Sequence, residues 1–448
     1  MSAALKKIAE ANRANGTLGI YSVCSAHRQV IEAAVLQAKS DQSLLLIEAT
    51  CNQVNQEGGY TGMTPNDFRE YVQAIAAEFN FPTNQLILGG DHLGPNPWRS
   101  KPAAQAMAAA RTMVAGYVRA GFTKVHLDAS MACADDPQAP GDEAVAARAA
   151  DLCQAAESVA DPANAPYYII GTEVPVPGGA HEDLQELAIT RVEDLAKTIE
   201  IQRGVFESRG LHEAWDRVIG VVVQPGVEFD HARVIDYQPE KAKTLSEAIL
   251  RFERLVYEAH STDYQTETAL TNLVRDHFAI LKVGPGLTYA AREALFALSH
   301  IEQEWITDRP LSDVRAKLDE VMVDQPKYWE PYYGGTEAER ALARKYSFSD
   351  RLRYYWPDPT VEASFQFLVK NLSETPPPLS LLSQFAPSAF RAIRNGELRN
   401  DPLSIIRHRI QEVLGMYARA CGMSQRQGSL KSTVEQTLEV GGGIVKEG

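Results

Sequence analysis

Long hydrophobic runs are missing from this 448-residue chain. No apolar stretch approaches the roughly 18 residues of a membrane-spanning helix, so none is expected. Disulfide patterning is missing too. The five cysteines (Cys24, Cys51, Cys133, Cys153 and Cys421) form no CxxC pair, and an odd count fits reduced thiols. Positive charge is scarce, with 44 Lys and Arg against 58 Asp and Glu and a net charge of −14. Nucleic-acid and anionic-membrane binding both need basic surface, so neither partner is expected. The opening MSAALKKIAEANRANG lacks the apolar centre of a signal peptide and reads as an amphipathic helix. These absences point to a soluble, cytoplasmic protein. Nucleotide motifs are also absent: there is no GxxxxGK[ST] run, which argues against a P-loop kinase. Gly428-Ser429-Leu430 is no nucleophile elbow, and no Ser-His-Asp arrangement is evident.

What the sequence does contain is a series of short β-rich runs ending in polar or glycine-rich segments. They are GIYSVCS (19–25), LLLIEAT (44–50), LILGGDH (86–92), KVHLDAS (124–130), YYIIGTEVP (167–175), VIGVVVQPG (218–226), RLVYEAHS (254–261) and FAILKVGPG (278–286). Successive starts lie 24 to 51 residues apart, too far for hairpins and suited to a strand, a helix and a return. The intervals carry helix signals. Thr64-Pro65-Asn66-Asp67 offers an N-cap, a first-turn proline and an acid three residues on. Phe68, Val72, Ile75 and Phe79 then form an apolar stripe, as do Met107, Ala110, Val114, Tyr117 and Val118 before Gly121. Continuous apolar strands such as LLLIEAT suit a parallel sheet buried on both faces. The expected fold is α/β, a (β/α)₈ TIM barrel over residues 1–304 with its N-terminal helix. Residues 305–448 form a helical C-terminal extension with a flexible tail from Gly441. An open doubly wound sheet is the competitor, but its GxGxxG turn is replaced by Ser25-Ala26-His27-Arg28. The aromatic patch Tyr346–Trp356 is expected to pack under the barrel.

In such barrels chemistry sits at the C-terminal strand ends, and here those ends are rich in ionisable groups. Glu48 precedes Cys51-Asn52-Gln53, Asp91-His92 ends the third run, and His126 and Asp128 lie on the fourth. Glu173, Gln224, Glu258 with His260, and Lys282 mark the remaining four. Each has an ordinary structural reading: a hydrogen-bonded His, Glu48 bridging a base on the barrel floor, Lys282 in an ion pair, His126 and Asp128 as an inward pair. Taken together, His92, Glu173 and His260 come from three strands at one rim and supply the N/O ligands of a catalytic divalent metal, zinc first among the candidates. Gly58-Gly59-Tyr60-Thr61-Gly62, Gly89-Gly90, Gly178-Gly179 and Gly284-Pro285-Gly286 also fall at the rim. The last, just after Lys282, is the best placed to cradle a phosphate.

The strand-end strings SVCSAH, IEATxNQVNQxGGYTGMTPxDF, GGDHLGPN, HLDASM, GTEVPVPGG, VVQPGVEFDH, YEAHSTDYQT, DHFAILKVGP and YSFSDRLRYYW together resemble the Z-subunit family of D-tagatose-1,6-bisphosphate aldolase, also labelled its non-catalytic subunit. The resemblance runs from about residue 18 to about residue 420. It implies a class II aldolase-like barrel in which Asp91 handles protons and His92 and His260 hold the metal. Glu173 matches an acidic position near the metal, and Asp128 joins Asp91 and Glu173 in the catalytic set. Glu48, Asn52, Gln224, His231 and Lys282 form the substrate-binding set. His231, seven residues past Gln224, stands nearest to a further aldolase His. Where class II aldolases carry an Asn on the eighth strand, this chain has Val283-Gly284, so one substrate contact is not reproduced.

Three functions follow. The first is a metal-dependent D-tagatose 6-phosphate 4-epimerase using retro-aldol and aldol steps on a phosphorylated ketohexose. The second is a stabilising subunit bound to a catalytic aldolase chain, and the third a sugar-phosphate kinase, which no nucleotide motif supports. Self-association into a homo-oligomer is compatible with each.

Overall fold

The computed structural model describes residues 2–137, 140–171 and 187–424. Eight parallel strands close into a barrel: β1 (Ile20–Val23), β2 (Leu45–Thr50), β3 (Leu86–Leu93), β4 (Lys124–Leu127), β5 (Tyr167–Gly171), β6 (Val218–Val222), β7 (Val256–Ala259) and β8 (Phe278–Val283). Neighbours in space are neighbours in sequence, and β8 pairs with β1, Ile20 opposite Ile280. The barrel order is that expected from the spaced runs, and no helix among the described residues is long and apolar enough to cross a membrane.

The local signals act as their chemistry demands. Thr64 and Asp67 form a reciprocal capping box at the start of helix Pro65–Glu78, whose Phe68, Val72 and Ile75 are buried. Helix Ala103–Arg119 buries Met107, Ala110, Val114, Tyr117 and Val118 against the barrel. Gly121 follows it at φ +87°, a left-handed conformation that glycine adopts without strain.

The barrel interior is stratified. At the N-terminal end, Ile20, Leu46, Ile87, Ile169, Ile219 and Ile280 form an apolar floor, sealed by Leu5 and Ile8 of the N-terminal helix Ser2–Asn15. Two residues further along the strands, the same inward stripe turns polar: Ser22, Glu48, Lys124, Glu258 and Lys282 are all buried. Gly89 opposes Glu48 across the β2–β3 pair. A Cβ there would lie 2.7 Å from the Glu48 Cγ, so the missing side chain is what admits the glutamate.

The C-terminal helices wrap the barrel and share its outer core. Helix Pro402–Ala420 lies against helices Arg28–Asp41 and Pro285–Trp305. Its Tyr417 hydroxyl donates to the carbonyl of Thr262 at 2.6 Å. The aromatic patch corrects the sequence expectation: residues 346–356 lie at the mouth, with Arg353 and Tyr354 lining its cavity. Asp350 anchors the patch through Thr288 (2.5 Å) and Arg292 (3.3 Å), both on the helix that follows β8.

Candidate active site at the barrel mouth

The site begins in the middle of the barrel. Lys124 bridges Glu48 (2.7 Å) and Glu258 (2.6 Å), while Lys282 pairs with Glu48 and lies 3.0 Å from Asp91. All of these groups are buried. Such a network is stable only because each charge has partners, since an isolated buried charge costs several kcal/mol. It also presents Asp91 upward, toward the cavity.

Above it lie three imidazoles, with ring centroids 4.8 Å (His92–His260), 5.1 Å (His126–His260) and 5.2 Å (His92–His126) apart. Each has one nitrogen tied to a carboxylate. His92 Nδ1 lies 2.9 Å from Asp128 Oδ2, His126 Nδ1 3.1 Å from Asp91 Oδ1, and His260 Nε2 2.9 Å from Glu258 Oε1. A proton on the tied nitrogen leaves the other lone pair bare, which is how carboxylate–histidine pairs prepare imidazole for a metal. His126 Nε2 is buried and has no hydrogen-bond partner, while its Nδ1 also receives the His92 backbone N–H at 3.2 Å. One ligand atom each of Asp91, His126, Glu258 and His260 also lies within 4.8 Å of every other, a group that does not include the expected ligand His92. Glu48, Asp91 and Glu258 face Lys124 and Lys282, so carboxylates outnumber lysines there. These donors fit a divalent cation. The overlapping group of Cys24, Glu48 and Asp91 already holds the Lys282 ammonium.

Adjacent strand residues normally face opposite ways, so Asp91 and His92 share the site through a local bend. His92 has φ +48°, and the β3–β4 register shifts between Gly90 and Leu93. Such a bulge re-aims a side chain. Just beyond it, a Cβ on Gly94 would fall 1.6 Å from the Asp128 carbonyl, so only glycine lets the two chains approach.

Electrostatics separates the imidazoles. Burial pushes the His260 pKa down to about 3, against the pull of Glu258. Burial also opposes the charged form of His92, but Asp91 and Asp128 outweigh it and raise its pKa. Burial would raise Asp91, yet His92, Lys282 and the His126 hydrogen bond hold its carboxyl well below the usual range. Burial drives the Cys24 thiol well above its ordinary pKa despite Lys282, so it is no ready nucleophile.

The other candidates sort by position. Asn52, Asp91, His92, His260 and Lys282 line one cavity at the mouth. Glu48 lies beneath it in the ion network, and Asp128 orients His92 while accepting from the Ser130 hydroxyl at 2.7 Å. Gln224 caps a turn, its Oε1 accepting the N–H groups of Gly226 (2.8 Å) and Val227 (3.1 Å). Both ring nitrogens of His231 face the extension, at the Tyr332 carbonyl (2.9 Å) and the Ser347 hydroxyl (3.2 Å). Neither Gln224 nor His231 lines the cavity. Glu173 and Gly178-Gly179 lie outside the described residues. The Gly284-Pro285-Gly286 loop is engaged: the N–H groups of Gly284 and Gly286 donate to Asp263 Oδ1 at 2.9 and 2.7 Å. His126 and Glu258 were visible as strand residues but absent from the expected ligand set. The period-two spacing His126–Asp128 and Glu258–His260 was the available signal. Arg353 was missed because nothing local ties residue 353 to the barrel mouth.

A (β/α)₈ barrel with buried imidazoles and carboxylates at the C-terminal mouth has a donor set compatible with a divalent cation. The chain matches, over residues 5–422, the model of the D-tagatose-1,6-bisphosphate aldolase subunit GatZ/KbaZ-like family, and it belongs to that family. It is similar to a Sinorhizobium meliloti 1021 protein described as a probable tagatose 6 phosphate kinase, at 46% identity and a TM-score of 0.83, covering 90% of this chain and 100% of that one. The YdjI aldolase of Escherichia coli K12 aligns over 82% of this chain and 98% of its own (11% identity, TM-score 0.43). A fructose-bisphosphate aldolase from Campylobacter jejuni aligns over 83% and 93% (15%, 0.43).

Proposed function

We propose that this protein epimerises D-tagatose 6-phosphate at C4, giving D-fructose 6-phosphate, by breaking and remaking the C3–C4 bond with the help of a bound divalent metal, zinc first among the candidates. The observation that carries this reading is the trio of carboxylate-anchored imidazoles beside Asp91. C4 is not α to the C2 ketone, so direct deprotonation there is unfavourable, whereas retro-aldol cleavage needs only the C4 hydroxyl proton. His126, His260 and Glu258, whose ligand atoms converge with that of Asp91, would hold the metal, with Asp91 and His92 beside it. When bound, it supplies positive charge against the C2 carbonyl oxygen as electrons move onto the C1–C3 fragment.

The chain's own groups do the rest. Asp91, kept ionised by His92 and Lys282, accepts the C4 hydroxyl proton as the C3–C4 bond breaks, and the C4 aldehyde forms. The same charges weaken it as a base, so the aldehyde's readiness to re-add favours the return step. Half a turn of the aldehyde, re-attack by C3 on its other face and return of the proton from Asp91 complete the inversion. Lys124, Glu48 and Glu258 hold Lys282 and Asp91 in place, and Asp128 keeps His92 turned inward.

A second reading is a stabilising subunit that associates with a catalytic aldolase chain, supported by the word subunit in the family description. A pure scaffold has little physical reason to bury four carboxylates, two lysines and three imidazoles at one mouth. The experiment uses the purified single chain. Its metal content is measured, and ¹³C NMR follows D-tagatose 6-phosphate for D-fructose 6-phosphate, before and after chelation. Turnover that chelation abolishes and added metal restores is the expected result. No turnover of any ketohexose phosphate by the metal-loaded chain, with rescue of a partner aldolase, favours the subunit reading.

A further inference from the structure

A sugar phosphate needs N–H donors for its phosphate, and the two best-placed candidates after the eighth strand are taken. Lys282 is committed to Glu48 and Asp91, and the Gly284–Gly286 amides are committed to Asp263. The other cation lining the cavity is Arg353, delivered by the C-terminal extension. Among the described residues it has no carboxylate within ion-pair distance. Its Nη1 donates to the carbonyls of Ser349 and Asp350, the latter at 3.0 Å, and its Nη2 to the Tyr354 hydroxyl at 3.0 Å. The Tyr354 ring supports the guanidinium 4.5 Å away, and Tyr354 is in turn stacked on Tyr328 at 4.9 Å.

Arginine has five N–H donors in a planar fork. The contacts made here use Nη1 and Nη2, and Nε has no acceptor among the described residues. The Nε–H and one Nη2–H of a guanidinium share an edge of its plane, the geometry that takes two oxygens of one phosphate. The tyrosine stack and the two carbonyls fix the plane, so little rotamer freedom remains to be lost on binding.

We infer that Arg353 is the phosphate-binding residue of this cavity, gripping the terminal phosphate of the sugar through its free edge. The inference rests on the epimerase reading for its substrate and adds a consequence. After C3–C4 cleavage the aldehyde fragment carries the C6 phosphate, so an anchor there lets C4 turn without the fragment leaving. The barrel activates the carbonyl half, and the extension retains the other half.

The test compares the full-length wild type, R353K and R353M, with circular dichroism and metal content confirming equivalent folds. Calorimetric titration with inorganic phosphate reads the subsite without requiring turnover. Phosphate affinity is expected to fall at least tenfold in R353M, with R353K between. With D-tagatose 6-phosphate, R353M should raise KM at least tenfold and release free triose phosphate, scored by a coupled dehydrogenase assay. Inorganic phosphate should compete with D-tagatose 6-phosphate in wild type and lose that competition in R353M, which ties the subsite to the sugar phosphate; an absence of competition in wild type would leave it a site for free phosphate alone and overturn the inference. Equal phosphate affinity in wild type and R353M, or no phosphate binding by wild type, overturns the inference and leaves the epimerase reading standing. A chain without turnover whose phosphate binding still depends on Arg353 overturns the epimerase reading and keeps the subsite.

Discussion

The floor and the mouth of this barrel are built from the same strands and obey opposite rules. On β2, Leu46 faces the floor and Glu48 the ion network. On β8 the pair is Ile280 and Lys282. One step of the two-residue strand period separates a layer held by apolar burial from one held by charge pairing. The floor gains roughly 25 cal/mol for each Å² taken from water. The charged layer gains little net stability, because desolvation consumes most of the Coulomb attraction. Its retention makes sense as a platform that orients Asp91 and the imidazoles.

Breaking the site side of this contrast gives the largest effects. Asp91→Asn should keep fold and metal, since His126, Glu258 and His260 remain, and lower kcat by about 10²–10⁴, measured beside elemental analysis. His126→Ala or His260→Ala should lose metal and turnover together. In the layer beneath, Lys124→Met leaves Glu48 and Glu258 with Lys282 as their one remaining cation. It should cost about 3–5 kcal/mol in denaturant unfolding, and adding Glu258→Gln should recover part of that loss. If K124M is as stable as wild type, the middle layer is not a paired network.

On the floor, Ile280→Ala should cost about 2–5 kcal/mol by cavity formation while metal content and the KM for sugar phosphate stay unchanged. A change in metal affinity would show that floor and mouth are coupled. The smallest effect concerns Asp263, buried at the mouth with a pKa pushed up to about 6 by burial, against its hydrogen bonds from Gly286 and Gly284. Its folded pKa exceeds the unfolded value of about 3.9. Its contribution is therefore fully present below about pH 4 and is lost as pH rises through 6, at most about 3 kcal/mol. Asp263→Asn, which can still accept both amide hydrogens, should flatten that part of the Tm-versus-pH curve between pH 4 and 7.

The strands were legible because buried parallel strands must be apolar and their connections helical. The stripes Leu46–Glu48, Lys124–His126–Asp128 and Glu258–His260 could be read as inward faces from the period of two. Which nitrogen meets which carboxylate could not, because it depends on ring orientations fixed by residues 35 or more positions away, as in His92–Asp128 and His126–Asp91. His231 and Gln224 show the converse: a polar residue near a strand end turned to local or extension contacts instead.

By itself, the sequence determined the barrel, its strand order and the band of ionisable residues at the mouth, since periodicity and spacing are local properties of a chain. Only the tertiary structure decided that Lys282 and the Gly284–Gly286 amides are already partnered and that Arg353 reaches the cavity. The reason is physical: whether a charge is free or satisfied depends on what other segments bring within hydrogen-bond distance, and that is settled by packing.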